Sequence, residues 1–358
     1  MNDHLATRLT AALKAIELLP RRMLLETTGV QATVPMLRGV WGAALHDLEP
    51  NVYAAVFAPN EEPPRRQAAP AGSTKPHCAA ASSPVPQASM RATAASDGRV
   101  ASPGDERPGA SPGGGTSAPA YVLRPAPPDP AFAPAVDWIL IGDAVQYDFQ
   151  LCRAWDIASG MGLGPERRRF HIRRRLALRP DGQAVEHAAP WALSEVRWLA
   201  AAGPSRQNHS VGFESSPAWQ FAELPPDRSC RLRFPAPLRL MRQGRLIDAP
   251  TLPDLIVAAC RRVATYLPSS AAADWKELTR DATDVARSTP ASAWQGERLD
   301  LHRYSGRQRS ELELHGVSGW LELPRGPGEL WPLLAAAQWL HLGKGTVMGL
   351  GQVLIEKL

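Results

Sequence analysis

The sequence predicts an α+β protein made of two consecutive halves of ferredoxin-like size. Three observations lead there. Strand-like and helix-like periodicities alternate up to Leu178 and restart at Ser229. The order is strand, helix, glycine-rich turn, strand, which suits two small α+β halves better than one doubly wound sheet. Finally, residues 59–118 change composition abruptly, so the ordered halves must be assembled around them.

The amino terminus, MNDHLATRLTAALKAIELLP, reads as an amphipathic helix with charges on one side, unlike a secretion signal. A strand-like run containing Arg22 follows. Pro35 to Leu48 repeats apolar residues at Leu37, Val40, Trp41, Ala44, Leu45 and Leu48, one helical face, with Pro35 suited to its first turn and Pro50 to its stop. From about Pro59 to Ser117 Pro, Ala, Ser and Gly dominate and aromatics vanish. Such a stretch buries too little apolar surface to offset its ordering entropy, and it reads as a flexible low-complexity insertion of about 59–118 within the first domain. Val136 to Ile141 (VDWILI) is a buried strand, Ala144 to Ser159 a helix and Arg168 to Leu178 an alternating strand. The second half begins with the strand CRLRFPAPLRLM and continues with a helix from Leu252 to Tyr266. Strands near Leu299 to Tyr304 and from Glu311 to Leu323 come next, then a helix from Leu330 to His341. A glycine-rich turn and the strand Gln352 to Glu356 close the chain. The domains are therefore drawn as 1–225, with an Arg-rich element at 165–179, and 228–358.

The 358 residues carry 40 Lys+Arg against 35 Asp+Glu, a net charge of +5, and only five of the forty are Lys. Arg presents a planar fork of donors that matches phosphate. The window from Pro165 to Arg179 holds Arg167, Arg168, Arg169, Arg173, Arg174, Arg175 and Arg179 against Glu166, a local charge of +6 that exceeds that of the whole chain. Repulsion at this density favours a polyanion partner, and Phe170 and His171 between the arginines suit RNA. Cys78, Cys152, Cys230 and Cys260 are widely spaced, which argues against a zinc site and a disulfide framework. No cofactor is expected. With no run of about 18 apolar residues, a cytoplasmic protein without a membrane partner is expected.

The segment His341 to Gly351, HLGKGTVMGLG, fits neither the dinucleotide fingerprint, because Met348 stands where the last Gly belongs, nor the P-loop, whose first Gly is missing. It is a helix-to-strand turn whose glycines either satisfy positive φ or let backbone N–H groups and Lys344 approach a phosphate chain. Arg38, Gly42 and His46 fall at i, i+4, i+8 and so share one stripe of their helix, where an Arg and a His could face one phosphate.

Several segments, in order, resemble the CRISPR-associated endoribonucleases that process pre-crRNA, members of the repeat-associated mysterious protein (RAMP) superfamily. They are LRGVWGAALHDL (37–48) with YAAVFAP (53–59), AYVLRPAPP (120–128), the run 138–170, RFPAPLRLMRQGRL (233–246) with ACRRV (259–263), RYSGRQ (303–308) and HLGKGTVMGLGQ (341–352). The resemblance implies tandem ferredoxin-like, RRM-like domains with the glycine-rich loop of the second near a bound repeat RNA. It implies metal-independent cleavage in which a 2′-hydroxyl attacks the adjacent phosphate. It also implies partners: the pre-crRNA or mature crRNA stem-loop, and the other subunits of a CRISPR effector complex. On this reading Arg38, Arg242, Arg22 and His46 are the catalytic candidates, the guanidinium groups acting as a clamp around the phosphorane. Arg167, Arg168, Arg169, Arg173, Arg174, Arg175, Tyr304, Gln308, Lys344, Gly345, Gly349 and Gly351 would bind RNA. The dense arginine cluster, the long insertion and the absence of a Cys-rich stretch before YAAVF look most like type IV systems. The alternative is a non-catalytic RNA-binding RAMP subunit.

Overall fold

A computed structural model describes residues 4–27, 29, 31–58, 118–126, 135–180, 184–186, 190–193, 227–305 and 310–358. In the first half, β1 (Glu17–Thr27) leads to α2 (Val34–Leu48) and α3 (Pro50–Phe57). Next come β2 (Tyr121–Pro125), β3 (Ala135–Ile141), α4 (Asp148–Met161) and β4 (Phe170–Leu178). The antiparallel sheet order is β2-β3-β1-β4, extended by the short β5 (Ala184–Val185), while β6 (Trp191–Ala192) pairs with β1. The second half repeats the plan. β7 (Cys230–Leu238) is followed by the small hairpin β8 (Met241–Arg242) and β9 (Arg245–Leu246), by α5 (Leu252–Ala264) and by α6 (Ala272–Ser288). Then come β10 (Gln295–Ser305), β11 (Ser310–Leu323), α7 (Trp331–Leu340) and β12 (Leu354–Lys357). Its order, β10-β11-β7-β12, is the order of the first sheet shifted along the chain. Two βαββαβ units, each with its first and third strands central, make tandem ferredoxin-like folds.

The run VDWILI is apolar throughout because its two faces serve two cores. Successive side chains of a strand point to opposite sides. Val136, Trp138 and Leu140 join α2, α3 and α4, whereas Ile139 and Ile141 join a core shared with the second half. In the first core Trp41 of α2 stacks on Trp155 of α4 at 4.7 Å and meets Trp138 and Tyr121 edge-on, and its indole N–H donates to the Leu151 carbonyl at 3.1 Å. Aromatic pairs of this kind add about 0.5–1.5 kcal/mol each beyond their area.

The amino-terminal pattern divides: the helix α1 spans His4–Leu13, and β1 starts at Glu17. Leu5, Leu9 and Leu13 of α1 are buried in the core of the second half, and Arg8 pairs with Glu277 and Asp281 of α6. The amino-terminal helix thus covers helices that follow it by more than 250 residues. No helix among the described residues is long and apolar enough to cross a membrane.

Candidate functional site

The glycine-rich loop is built by the end of α7. All ten residues of this helix are buried, and it stops at His341, whose backbone turns to φ +60°. The imidazole is fully buried, and its Nδ1 contacts the Leu350 carbonyl at 3.1 Å. Burial, reinforced by the nearby Arg124 and Arg262 charges, holds its pKa well below the usual 6.5, so the neutral ring donates that hydrogen bond. Beyond it Leu342 N–H donates to Gly351 O, Gly351 N–H to Pro237 O and Lys344 N–H to Arg239 O, at 2.9, 2.9 and 3.0 Å. Gly343 and Gly351 have φ of +78° and +67°, and a Cβ on either would overlap a backbone carbonyl. The positive-φ reading of these glycines therefore holds, and the loop lies tight on the β7–β8 connection with Lys344 exposed.

The far side of the loop reaches the first half. A Cβ on Gly349 would stand 3.4 Å from Val34 in the first turn of α2, and one on Gly164 would stand 3.4 Å from Met36 of the same turn. Thr33 caps this helix by accepting from Met36 N–H. Residues 164–169 are exposed and form a tight turn closed by the Leu163–Arg168 bridge. Arg167 sits there at φ +48°, and the Arg168 guanidinium lies against Gly29. Three features thus border one patch: the positive end of α2, the loop bearing Lys344, and the turn bearing Arg167, Arg168 and Arg169. Such a patch can bind the phosphates of an extended anion.

The expected guanidinium clamp does not assemble as the sequence suggested. Arg22 lies opposite Asp137 across β1 and β3, and its Nε and Nη2 donate to that carboxylate at 2.8 and 3.1 Å. It points to the face shared with the second half, whereas α2 packs on the face of Leu19, Met23 and Leu25. Period-two alternation therefore puts Arg22 and Arg38 on opposite sides of the sheet. Arg242 stands exposed on the β8–β9 hairpin and pairs with Asp254 in the first turn of α5.

The shared stripe of α2 is also corrected. Gly42, between Arg38 and His46, is the position on which α3 packs: a Cβ there would lie 3.1 Å from Phe57 and 3.7 Å from Tyr53. The Arg38 guanidinium sits over the Phe57 ring at 5.7 Å, and the exposed His46 meets Tyr53 edge-on at 5.1 Å. Two stacked rings of α3 therefore hold Arg38 and His46 apart, and one phosphate does not touch both. The arginine-rich strand is also less bare than its charge implied. Arg168 pairs with Glu166, Arg173 with Glu26, Arg174 with Glu186 and Arg175 with Asp156. Among the described residues Arg167 and Arg169 have no such partner. Tyr304 pairs with Glu311 in the β10–β11 register, and Gln308 lies outside the described residues.

A buried polar seam escaped the sequence reading. Asp137 is fully buried, with Arg22 opposite it on β1 and Arg124 opposite it on β2. The Arg124 Nε donates to Asp137, its Nη1 donates to the Gln338 carbonyl of α7 at 2.8 Å, and its guanidinium covers the Trp339 ring. Arg262 of α5 donates to the Leu340 carbonyl and lies over Tyr266, whose hydroxyl donates to Pro119 O. The signal was present as charged residues inside apolar runs, VDWILI, YVLRP and ACRRV. Cys152, Cys230 and Cys260 are free, and burial raises their thiols to about 11, 12 and 11. These are unreactive thiols. Cys78 lies outside the described residues.

Residues 232–353 match the family model of the CRISPR-associated endoribonuclease Cas6. The match covers about a third of the chain, begins in β7 and includes the whole glycine-rich loop. Among solved structures, the chain resembles a Cas6 product complex at 17% identity and TM-score 0.48, covering 95% of this chain and all of that one. It also resembles Thermus thermophilus Cas6 at 11% identity and TM-score 0.47, covering 95% and 99%. A partial Cas6-RT-Cas1–Cas2 complex aligns at 10% identity and TM-score 0.49, over 96% of this chain and 46% of that one. No curated protein matches the sequence.

Proposed function

We propose that the chain is an endoribonuclease of CRISPR RNA maturation, which cuts repeat stem-loops, retains its product and joins an effector complex in the cytoplasm. The observation that carries this reading is the Cas6 match over the second half, whose glycine-rich loop packs against the first turn of α2 beside the Arg167–Arg169 turn. The arginine density of residues 167–175 supports the type IV assignment.

The step needs no consumed reagent. The 2′-oxygen loses its proton as it bonds to phosphorus, the P–O5′ bond breaks, and the leaving 5′-oxygen takes a proton. The products are a 2′,3′-cyclic phosphate and a 5′-hydroxyl. Charge builds on the phosphorane, so fixed cations around it lower the barrier. Lys344, Arg167 and Arg168 would grip the backbone beside the positive end of α2. Arg38 stands one turn along the helix, and its Nε is buried without a hydrogen-bond partner among the described residues. The role of Arg22 is structural in this reading, and Arg242 serves RNA from the hairpin. Product retention follows because the stem contacts survive the cut.

The non-catalytic alternative has one observation in its favour: Arg22, Arg38 and His46 do not converge. Purified protein incubated with labelled repeat RNA in EDTA separates the two. We expect one cut that a 2′-deoxy substitution at the scissile nucleotide abolishes, and intact, tightly bound RNA would select the alternative. In single-turnover kinetics Arg38→Ala should slow cleavage on the order of a hundredfold while barely changing affinity. His46→Ala should cut at the wild-type rate, because α3 separates it from Arg38.

A further inference from the structure

The second sheet covers α5 and α7 with one face, and on the other Arg231, Arg233, Ser318, Trp320 and Glu322 are part-exposed among the described residues. On β7, Arg231 and Arg233 alternate with the buried Cys230, Leu232 and Phe234. On β11, Ser318, Trp320 and Glu322 alternate with the buried Leu321 and Leu323. Arg233 stands opposite Trp320, and Arg231 opposite Glu322. These are the two central strands of the sheet. Arg231 pairs with Glu322 at 2.6 Å and lies over the Trp320 ring at 5.4 Å, and Arg233 pairs with Glu356 of β12 at 2.5 Å. Beside the indole the surface sinks into a depression of about 540 Å³, bordered by Arg233, Pro235, Gly296, Glu297, Ser318 and Trp320. Gly296 and Gly319 face each other across β10 and β11, where a Cβ on either would collide with the opposing backbone and Trp294.

We propose that this depression receives an unpaired base of single-stranded RNA, stacked on Trp320. The inference rests on the RNA-processing reading above and extends it to a second contact, on the face of β7 and β11 that carries Arg233 and Trp320. Four features favour a base over a phosphate or an apolar peptide. An indole on a central strand of a ferredoxin-like sheet is a planar surface placed as RRM-type sheets place their stacking aromatics. The arginines of this face are already matched by Glu322 and Glu356, so the patch has little net charge to draw a phosphate. The rim is polar: Glu297 can accept from an exocyclic amine, and Ser318, which donates to Phe234 O at 3.0 Å, keeps lone pairs free to accept. The cavity also has room for a base together with its ribose.

The test uses the full chain and an unstructured oligonucleotide carrying 5-iodouridine. Irradiation followed by trypsin should place the cross-link in the peptide Ser310–Arg325, which contains one Trp, Trp320. Trp320→Ala should abolish that cross-link and weaken single-strand binding about tenfold, with the slope of log affinity against log salt unchanged. Trp320→Phe should stay within about twofold of wild type, since a smaller ring still stacks. Repeat cleavage at saturating protein should be as fast in Trp320→Ala as in wild type. Wild-type affinity in Trp320→Ala, or a cross-link confined to other peptides, overturns the proposal. So does a self-association that Trp320→Ala breaks while RNA affinity stays constant, which would mark a contact between two copies. Failure of the processing reading looks different: wild-type protein would then leave repeat RNA uncut whatever residue occupies position 320.

Discussion

At the scale of single residues, burial decides chemistry. His341 heads the segment that sequence motifs single out, and a histidine beside a glycine-rich loop with an exposed Lys344 invites an acid–base role. Its ring is instead buried, and Arg124 and Arg262 lie close enough for their charges to oppose protonation. This has a consequence for stability. In the unfolded chain His341 takes a proton near pH 6.5, whereas in the folded chain it stays neutral well below that. The stabilisation is therefore complete above pH 6.5 and is lost as pH falls, at up to about 1.4 kcal/mol per pH unit. His341→Gln removes the titration. Its urea midpoint should fall less between pH 7 and pH 5 than that of wild type; equal pH slopes for the two proteins would assign the acid sensitivity to other groups. Asp137 is fully buried, and two guanidinium groups flank it in register.

At the scale of elements, what was legible depended on the strength of the periodicity. The strand VDWILI and the helices beginning at Val34 and Leu252 stand within a residue or two of where their apolar patterns put them. α2 does stop before Pro50, but the same proline also opens α3, which the reading of it as a stop concealed. That short helix rearranged the candidate site, since Tyr53 and Phe57 fill the space between Arg38 and His46. The 17-residue α6 was missed although its buried residues Trp275, Leu278, Ala282, Thr283 and Ala286 keep helical spacing. Charge counting overstated the arginine strand because the carboxylates that answer it, Glu26, Asp156 and Glu186, lie outside the counted window of 165–179 and are brought to it by the fold. The arginines should therefore differ in what they give to RNA binding. Arg167→Ala with Arg169→Ala removes two cations that lack carboxylate partners among the described residues, and it should reduce the salt slope of repeat binding by about 1.5. Arg174→Ala also frees Glu186 and should change the slope by less. Fluorescence anisotropy across a salt series checks both, and equal effects would refute the distinction.

At the scale of the whole molecule, the two ferredoxin-like units are a duplication in topology and one body in packing. Leu18, Val122, Ile139 and Ile141 of the first sheet share a core with Leu232, Phe234, Leu255 and Leu334 of the second unit, and α1 crosses from one end of the sequence to cover it. Residues 1–61 and 116–358 accordingly form one compact unit. Neither half carries a complete core, because cutting the chain before β7 would expose one whole face of the first sheet. Calorimetry should therefore show a single transition for this body, with the van't Hoff and calorimetric enthalpies equal. Asp137→Ala probes the same coupling from inside: it deprives the buried Arg124 and the part-buried Arg22 of their carboxylate, at a cost of about 3–5 kcal/mol. The seam touches both units through the Arg124 bond to Gln338, so the substitution should lower one common midpoint for β-sheet and helix signals. Two separated transitions, with the second unit melting at its wild-type temperature, would show that the halves are energetically independent and that the shared core contributes little.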